Sequence, residues 1–116
     1  SSFLLINCNV FIKLTELFIY KIFTEEENNL FISTGYTSGS QTDNRDGFIH
    51  LSARHQLSDT INKHFQHLKT IYVYSFHINS LDKNLKWEKS RNEEYFPHYY
   101  AHLLLEDNIY ALKIKN

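Results

Sequence analysis

The chain has one cysteine, one proline and three glycines in 116 residues, and no excess of either charge. A single thiol, Cys8, rules out a disulfide within the chain and suits a reducing compartment, so cytoplasm is the default expectation. The glycines, Gly35, Gly39 and Gly47, form neither a P-loop nor a GxGxxG fingerprint, which removes a Rossmann-type site. Lys and Arg number 12 against 13 Asp and Glu, a net charge of -1, so nothing in the charge balance favours a nucleic-acid backbone or an anionic membrane. The apolar opening, "SSFLLINCNVFIKLTELFIYKIF", has no basic start and is interrupted by Asn7, Asn9, Lys13, Thr15 and Glu16. It reads as strands, neither signal peptide nor membrane span.

What is present suffices for one globular domain: 42% hydrophobic and 16% aromatic residues can bury a core without staples. Phe11, Lys13 and Thr15 alternate with Ile12, Leu14 and Glu16, predicting a strand in an N-terminal extension over 1–16, with the domain proper at 17–116. From Leu17 to Phe23 the run is nearly all apolar around Lys21. Thr24 followed by Glu25, Glu26 and Glu27 predicts a capped helix that Gly35 ends. The stretch "GYTSGSQTDNRDG", 35–47, has the composition of an exposed loop. "FIHLS" predicts a strand with Phe48, His50 and Ser52 on one face and Ile49 and Leu51 on the other. Ser52 can cap the following helix, whose Leu57, Ile61, Phe65 and Leu68 make one buried stripe.

Thr70–Ile78 is rich in β-branched and aromatic residues on both faces, predicting a central strand. "LKWEKS" predicts an edge strand. Pro97, lacking an N–H, belongs at an edge, a bulge or a turn, and "NIYALKIKN" ends the chain as an alternating strand. The class is α+β.

Seven histidines invite a metal reading. His64 and His67, and His98 and His102, have helical spacing, but no HExxH occurs and no third ligand is fixed, so no metal is expected. His55, His64, His67 and His77 read as solvent-facing or hydrogen-bonded structural groups, and Cys8 as inert packing. Three polar-aromatic islands remain: "GFIHLS" at 47–52, "KWEKS" at 86–90 and "EYFPHYY" at 94–100. Each lies at or beside a predicted strand, where side chains can converge on one cleft. Each also has a plain structural reading: His50 bonding a carbonyl, Ser52 capping a helix, Trp87 and Phe96 filling core.

The ordered blocks "IYKI" at Ile19–Ile22, "DGFIHLS" at Asp46–Ser52 with Gln56 after it, "LKWE" at Leu85–Glu88 and "FPHYYA" at Phe96–Ala101 resemble the small bacterial family called domain of unknown function 952. The resemblance spans about Leu17 to Asn116. It departs from the family pattern at Lys21, where many members carry His, and at Ala101, where they carry Gly. It implies an ADP-ribosyltransferase-like fold: two small, mainly antiparallel sheets with an NAD-sized cleft between them, and one main helix after the second family strand.

Such a fold implies NAD as candidate substrate and cleavage of the nicotinamide–ribose bond through an oxocarbenium-like state. In that reading Glu88, with Glu94 second, supplies the carboxylate; Trp87, Tyr36 or Tyr100 makes an aromatic wall; His50, Ser52 and His98 fix ribose or phosphate; and Lys21 takes the place of the usual first-strand histidine. The alternatives are a non-catalytic module holding a small polar ligand and a purely structural interaction protein. The sequence names neither the acceptor nor the oligomeric state.

Overall fold

The computed structural model describes residues 17–116. The expected strand at 11–16 and the packing of Cys8 lie outside the described residues. Within them, β1 (Phe18–Thr24) leads into α1 (Glu25–Thr34), β2 (Tyr36–Thr37) and α2 (Gln41–Asp46). Next come β3 (Ile49–His50), β4 (Ser52–Ala53), a 3₁₀ turn at Arg54–Gln56 and α3 (Leu57–His64). The second half runs β5 (Thr70–His77), α4 (Ile78–Leu81), β6 (Leu85–Lys89), β7 (Tyr95–Tyr99), β8 (Leu103–Leu104) and β9 (Asn108–Lys115). The strands form a four-stranded sheet in the order β4-β1-β5-β9, a three-stranded sheet β3-β7-β6 and a two-stranded ribbon β2-β8, with every pairing antiparallel. The protein is therefore α+β, built on one more group of paired strands than the two sheets anticipated.

Both faces of the large sheet are covered, which is why its inner strands carry apolar side chains in both phases of the alternation. Tyr20, Ile22, Ile71 and Val73 face Leu57, Ile61, Phe65 and Leu68, the stripe read from the sequence. On the other face Ile19, Phe23, Tyr74 and Phe76 pack with Phe31 of α1, with Leu103 of β8, and with Ile49 and Tyr99 of the three-stranded sheet. Lys21 shares that second face, opposite Tyr74 in the β1–β5 register, and is 6% exposed. A lysine between two sheets requires a buried partner. At the β5–β9 bulge, Ser75 Oγ donates to the Tyr110 carbonyl at 2.9 Å and accepts from its N–H at 3.0 Å, replacing the ladder bonds the irregularity removes.

Several expectations are corrected. The Gly35–Gly47 stretch is not an open loop: Tyr36–Thr37 pairs with Leu103–Leu104, and Ser40 and Asp43 close a capping box that starts α2. Among the described residues the longest helix is α1, capped by Thr24 and Glu27 as the acidic first turn suggested, and not the helix after β4, which spans eight residues.

Ser52 does not cap that helix. It lies in β4 opposite Tyr20, and the turn is closed instead by Gln56, whose Oε1 accepts from the Ala53 N–H at 2.9 Å. Pro97 sits in the middle strand of its sheet. The Leu51 N–H donates to the Pro97 carbonyl at 3.1 Å, and proline has no N–H to return. The β3–β7 pairing ends at that point, and the chain crosses to the large sheet as β4.

Candidate functional site

The register of the three-stranded sheet gathers the site. His50 lies opposite His98, and His98 opposite Lys86, so three side chains form a row across β3, β7 and β6. Alternation puts Glu88 and Tyr100 on the same face. His98 Nδ1 lies 2.8 Å from Glu88 Oε1, and the Tyr100 hydroxyl donates to the same oxygen at 2.6 Å. Phe48 stacks on His98 with ring centroids 4.0 Å apart, 4.6 Å from the His50 ring and 5.4 Å from that of Tyr100. The two imidazoles meet edge to face at 5.5 Å, and Lys86 Nζ stands 5.0 Å over the Tyr100 ring.

Behind this row lies a buried charge cluster centred on Asp43. Its Oδ2 accepts from Lys21 Nζ at 2.7 Å and from the Ser40 N–H at 2.9 Å. Its Oδ1 is 2.6 Å from His50 Nδ1 and accepts from the His50 N–H at 3.2 Å. Lys21 Nζ also donates to the His50 carbonyl at 3.1 Å. Burial pushes the Asp43 carboxyl upward, but the hydrogen bond from His50 and the charge and hydrogen bond of Lys21 outweigh it and hold the group well below the usual carboxylate range. Glu88 is also lowered, by the hydrogen bonds from Tyr100 and His98, and Tyr100 is raised by its bond to Glu88.

Gly39 makes the Asp43 cluster possible. Its φ is +99°, and a Cβ there would sit 2.5 Å from Asp43 Oδ2 and 2.6 Å from Asp43 Cβ. Gly47 also has positive φ but meets nothing within 4 Å. Gly39→Ala is therefore expected to destabilise the domain by more than Gly47→Ala, with at least about 1–2 kcal/mol arising from the backbone conformation alone. Paired urea unfolding curves check this, and equal losses for the two variants would show that the contact with Asp43 costs nothing.

Of the residues singled out from the sequence, His50, His98, Glu88 and Tyr100 come together. Lys21 lies beneath them, positioning Asp43 and His50 where a cofactor contact was expected. Ser52 is on the opposite side of the large sheet, with Tyr20, and its hydroxyl donates to Thr60 Oγ1 at 3.4 Å. The expected sharing of one face by Phe48, His50 and Ser52 fails at the crossover after Leu51, which breaks the alternation.

Trp87, opposite Pro97, points from the reverse face of β6 and is 39% exposed, so it is not core and does not share the face of His98 and Glu88. Glu94 precedes β7, at the opposite end from Tyr100, where its Oε2 accepts from Gln56 Nε2 at 3.0 Å and lies 3.5 Å from His55 Nε2. Tyr36 stacks on His102 in an open groove with Gly35, Leu104 and Leu105, apart from the row. Among the described residues no three His, Cys, Asp or Glu side chains gather as a metal site, and no helix is long and apolar enough to cross a membrane.

Asp43 was missed, and Asp46 and Phe48, though within the DGFIHLS block, were given no role in the site. The signal for Asp43 was the S-x-x-D spacing from Ser40, a capping box inside a stretch read as loop. Asp46 Oδ2 lies 3.3 Å from His50 Nε2, four residues on in sequence, a contact made across a turn that helical periodicity does not describe.

A compact α+β domain with an Asp–His and a Glu–His pair side by side on one sheet is the class this architecture defines. The chain belongs to the family described as Protein of unknown function (DUF952), whose family model matches residues 22–110. It is similar to the crystal structure of protein CC0527 from Caulobacter crescentus, at 35% identity over 83% of this chain and 84% of that one, with a TM-score of 0.79. The solution structure of the same protein gives 35% identity, 85% coverage of each chain and a TM-score of 0.74. No curated protein matches the chain.

Proposed function

We propose that the β3–β7–β6 face binds the nicotinamide-ribose end of an NAD-type dinucleotide on an ADP-ribosyltransferase-like fold, and that Glu88 promotes cleavage of the N-glycosidic bond. The observation that carries this reading is the state of Glu88: a carboxylate held ionised by His98 and Tyr100, with its side chain 39% exposed, beside the aromatic rings of Phe48 and Tyr100. Nicotinamide bound to ribose is a cation. Lys86 over Tyr100 marks that ring as a place for positive charge, and a carboxylate beside it suits both the pyridinium and an oxocarbenium-like transition state. Glu88 Oε1 is occupied by two donors, so Oε2 is the oxygen that takes a ribose hydroxyl. Of the wall candidates Trp87, Tyr36 and Tyr100, Tyr100 is kept, and Phe48 joins it.

A second reading, a binding module without turnover, is favoured by Lys21. Its ammonium is engaged by Asp43 and the His50 carbonyl and does not reach the face. Titration of ¹⁵N-labelled protein with NAD, ADP-ribose, nicotinamide and ATP separates the readings. The expected result is amide shifts clustered on 48–50, 86–88 and 98–100 with NAD, and slow nicotinamide release. Shifts without release select the binding module. No shift with NAD or ADP-ribose, or shifts confined to other surfaces, would refute the nucleotide site.

A further inference from the structure

The four hydrogen bonds of Asp43 decide the chemistry of His50. Lys21 Nζ, the Ser40 N–H and the His50 N–H can only donate to this carboxylate, and a carboxylate held ionised has no proton to give in return. In the 2.6 Å contact with His50 Nδ1 the hydrogen therefore belongs to the imidazole. Neutral His50 is held as the Nδ1–H tautomer, with its free lone pair on Nε2, the reverse of the form an unconstrained histidine favours.

Nε2 does not face bulk water alone. Asp46 Oδ2 is 3.3 Å away, its side chain 35% exposed, and Arg45 Nε lies 3.4 Å from the other Asp46 oxygen. The remaining groups packed on His50 are the Phe48 ring and the His98 ring, with Glu88 behind His98 and Lys21 on the His50 carbonyl. A bare Nε2 and an Asp46 carboxylate are two acceptors face to face, and they repel. A protonated Nε2 turns that contact into an ion pair, with the imidazolium held between Asp43 and Asp46.

We infer that His50 is the proton acceptor of this site, working through Nε2, with Asp43 as its positioning residue and Asp46 as the counter-charge of the imidazolium. The chemical group it serves is a hydroxyl, of water or of an alcohol acceptor. Its O–H bond breaks, its oxygen bonds to the ribose C1′, the C1′–N bond breaks with its electron pair remaining on the now neutral nicotinamide, and the proton rests on Nε2. This role in transfer rests on the nucleotide reading; the tautomer does not.

Ring-nitrogen correlation spectra of the ¹⁵N-histidine-labelled protein at alkaline pH test the assignment directly. The expected pattern for His50 is a protonated Nδ1 and a bare Nε2 shifted far downfield, retained in Asp46→Asn and collapsing toward the usual Nε2–H form in Asp43→Asn. An Nε2–H tautomer in the unmutated protein, or an even mixture, would overturn it. Should Asp43→Asn not fold, the unmutated protein and Asp46→Asn decide the question alone. With NAD present, His50→Gln is expected to slow nicotinamide release by about 100-fold or more, the usual contribution of a positioned base. The expected tautomer with no release from NAD would refute the transfer chemistry and leave Asp43 in its positioning role; release unchanged by His50→Gln would remove His50 as the base.

Discussion

Asp43→Ala is expected to lower the unfolding free energy by about 3–5 kcal/mol, the usual loss when one member of a buried ion pair is removed. The side chains of Lys21 and Asp43 are 8% and 2% exposed, and the ammonium left behind would retain only the His50 carbonyl. The cost arises from the stranded charge, so replacing both partners is milder: Lys21→Met with Asp43→Ala should recover part of the loss, and a double-mutant cycle from denaturant unfolding reads the coupling. A loss below about 1 kcal/mol for Asp43→Ala, which is typical of a surface pair, would show that the cluster is solvated.

The same pair sets an acid dependence. The carboxyl of Asp43 is depressed in the folded state, so its contribution is fully present above its unfolded value, roughly pH 4, and is lost as pH falls below that through the folded one. The stability advantage over Asp43→Ala should therefore shrink on acidification and not on raising the pH to 8.

Glu88→Gln is expected to reduce nicotinamide release by about 100-fold or more, since it removes charge from the group placed to meet the developing cation while preserving its shape. His98 Nδ1 and the Tyr100 hydroxyl would still find an amide oxygen, so binding of ADP-ribose, read by the same amide shifts, should change far less than turnover. Loss of binding and turnover in equal measure would make Glu88 a ligand contact only. Because Tyr100 and His98 lower the Glu88 carboxyl, its side-chain carboxyl ¹³C signal should titrate below the ordinary carboxylate range, and Tyr100→Phe should move that titration to higher pH. A Glu88 titration that does not move in Tyr100→Phe would show that the Tyr100 hydroxyl does not hold the carboxylate charge.

The elements whose information is local were legible. Thr24 and its three following glutamates announced a helix, and the stripe from Leu57 to Leu68 announced the face that covers the large sheet. The doubly apolar run at Thr70–His77 announced a strand between two layers. The failures fall where one residue answers to a distant one. Pro97 was assigned to an edge, a bulge or a turn by its missing N–H, yet it sits in a middle strand, and β3 ends at the position where that N–H would have been used. Ser52 and His50 are two residues apart and were given one face, but the chain changes sheets between them.

Composition, periodicity and capping patterns by themselves determined an α+β domain and its main core stripe, because each rests on neighbours within a few positions; the family resemblance nominated His50, Glu88, His98 and Tyr100 among its site candidates. Tertiary structure alone decided that Lys21 is the buried partner of Asp43, that Trp87 and Ser52 lie off the face of His98 and Glu88, and that Asp43 bonds His50. A side chain's role there is set by hydrogen bonds to residues 7 to 29 positions distant, and only the packing of one sheet on another fixes which of them meet.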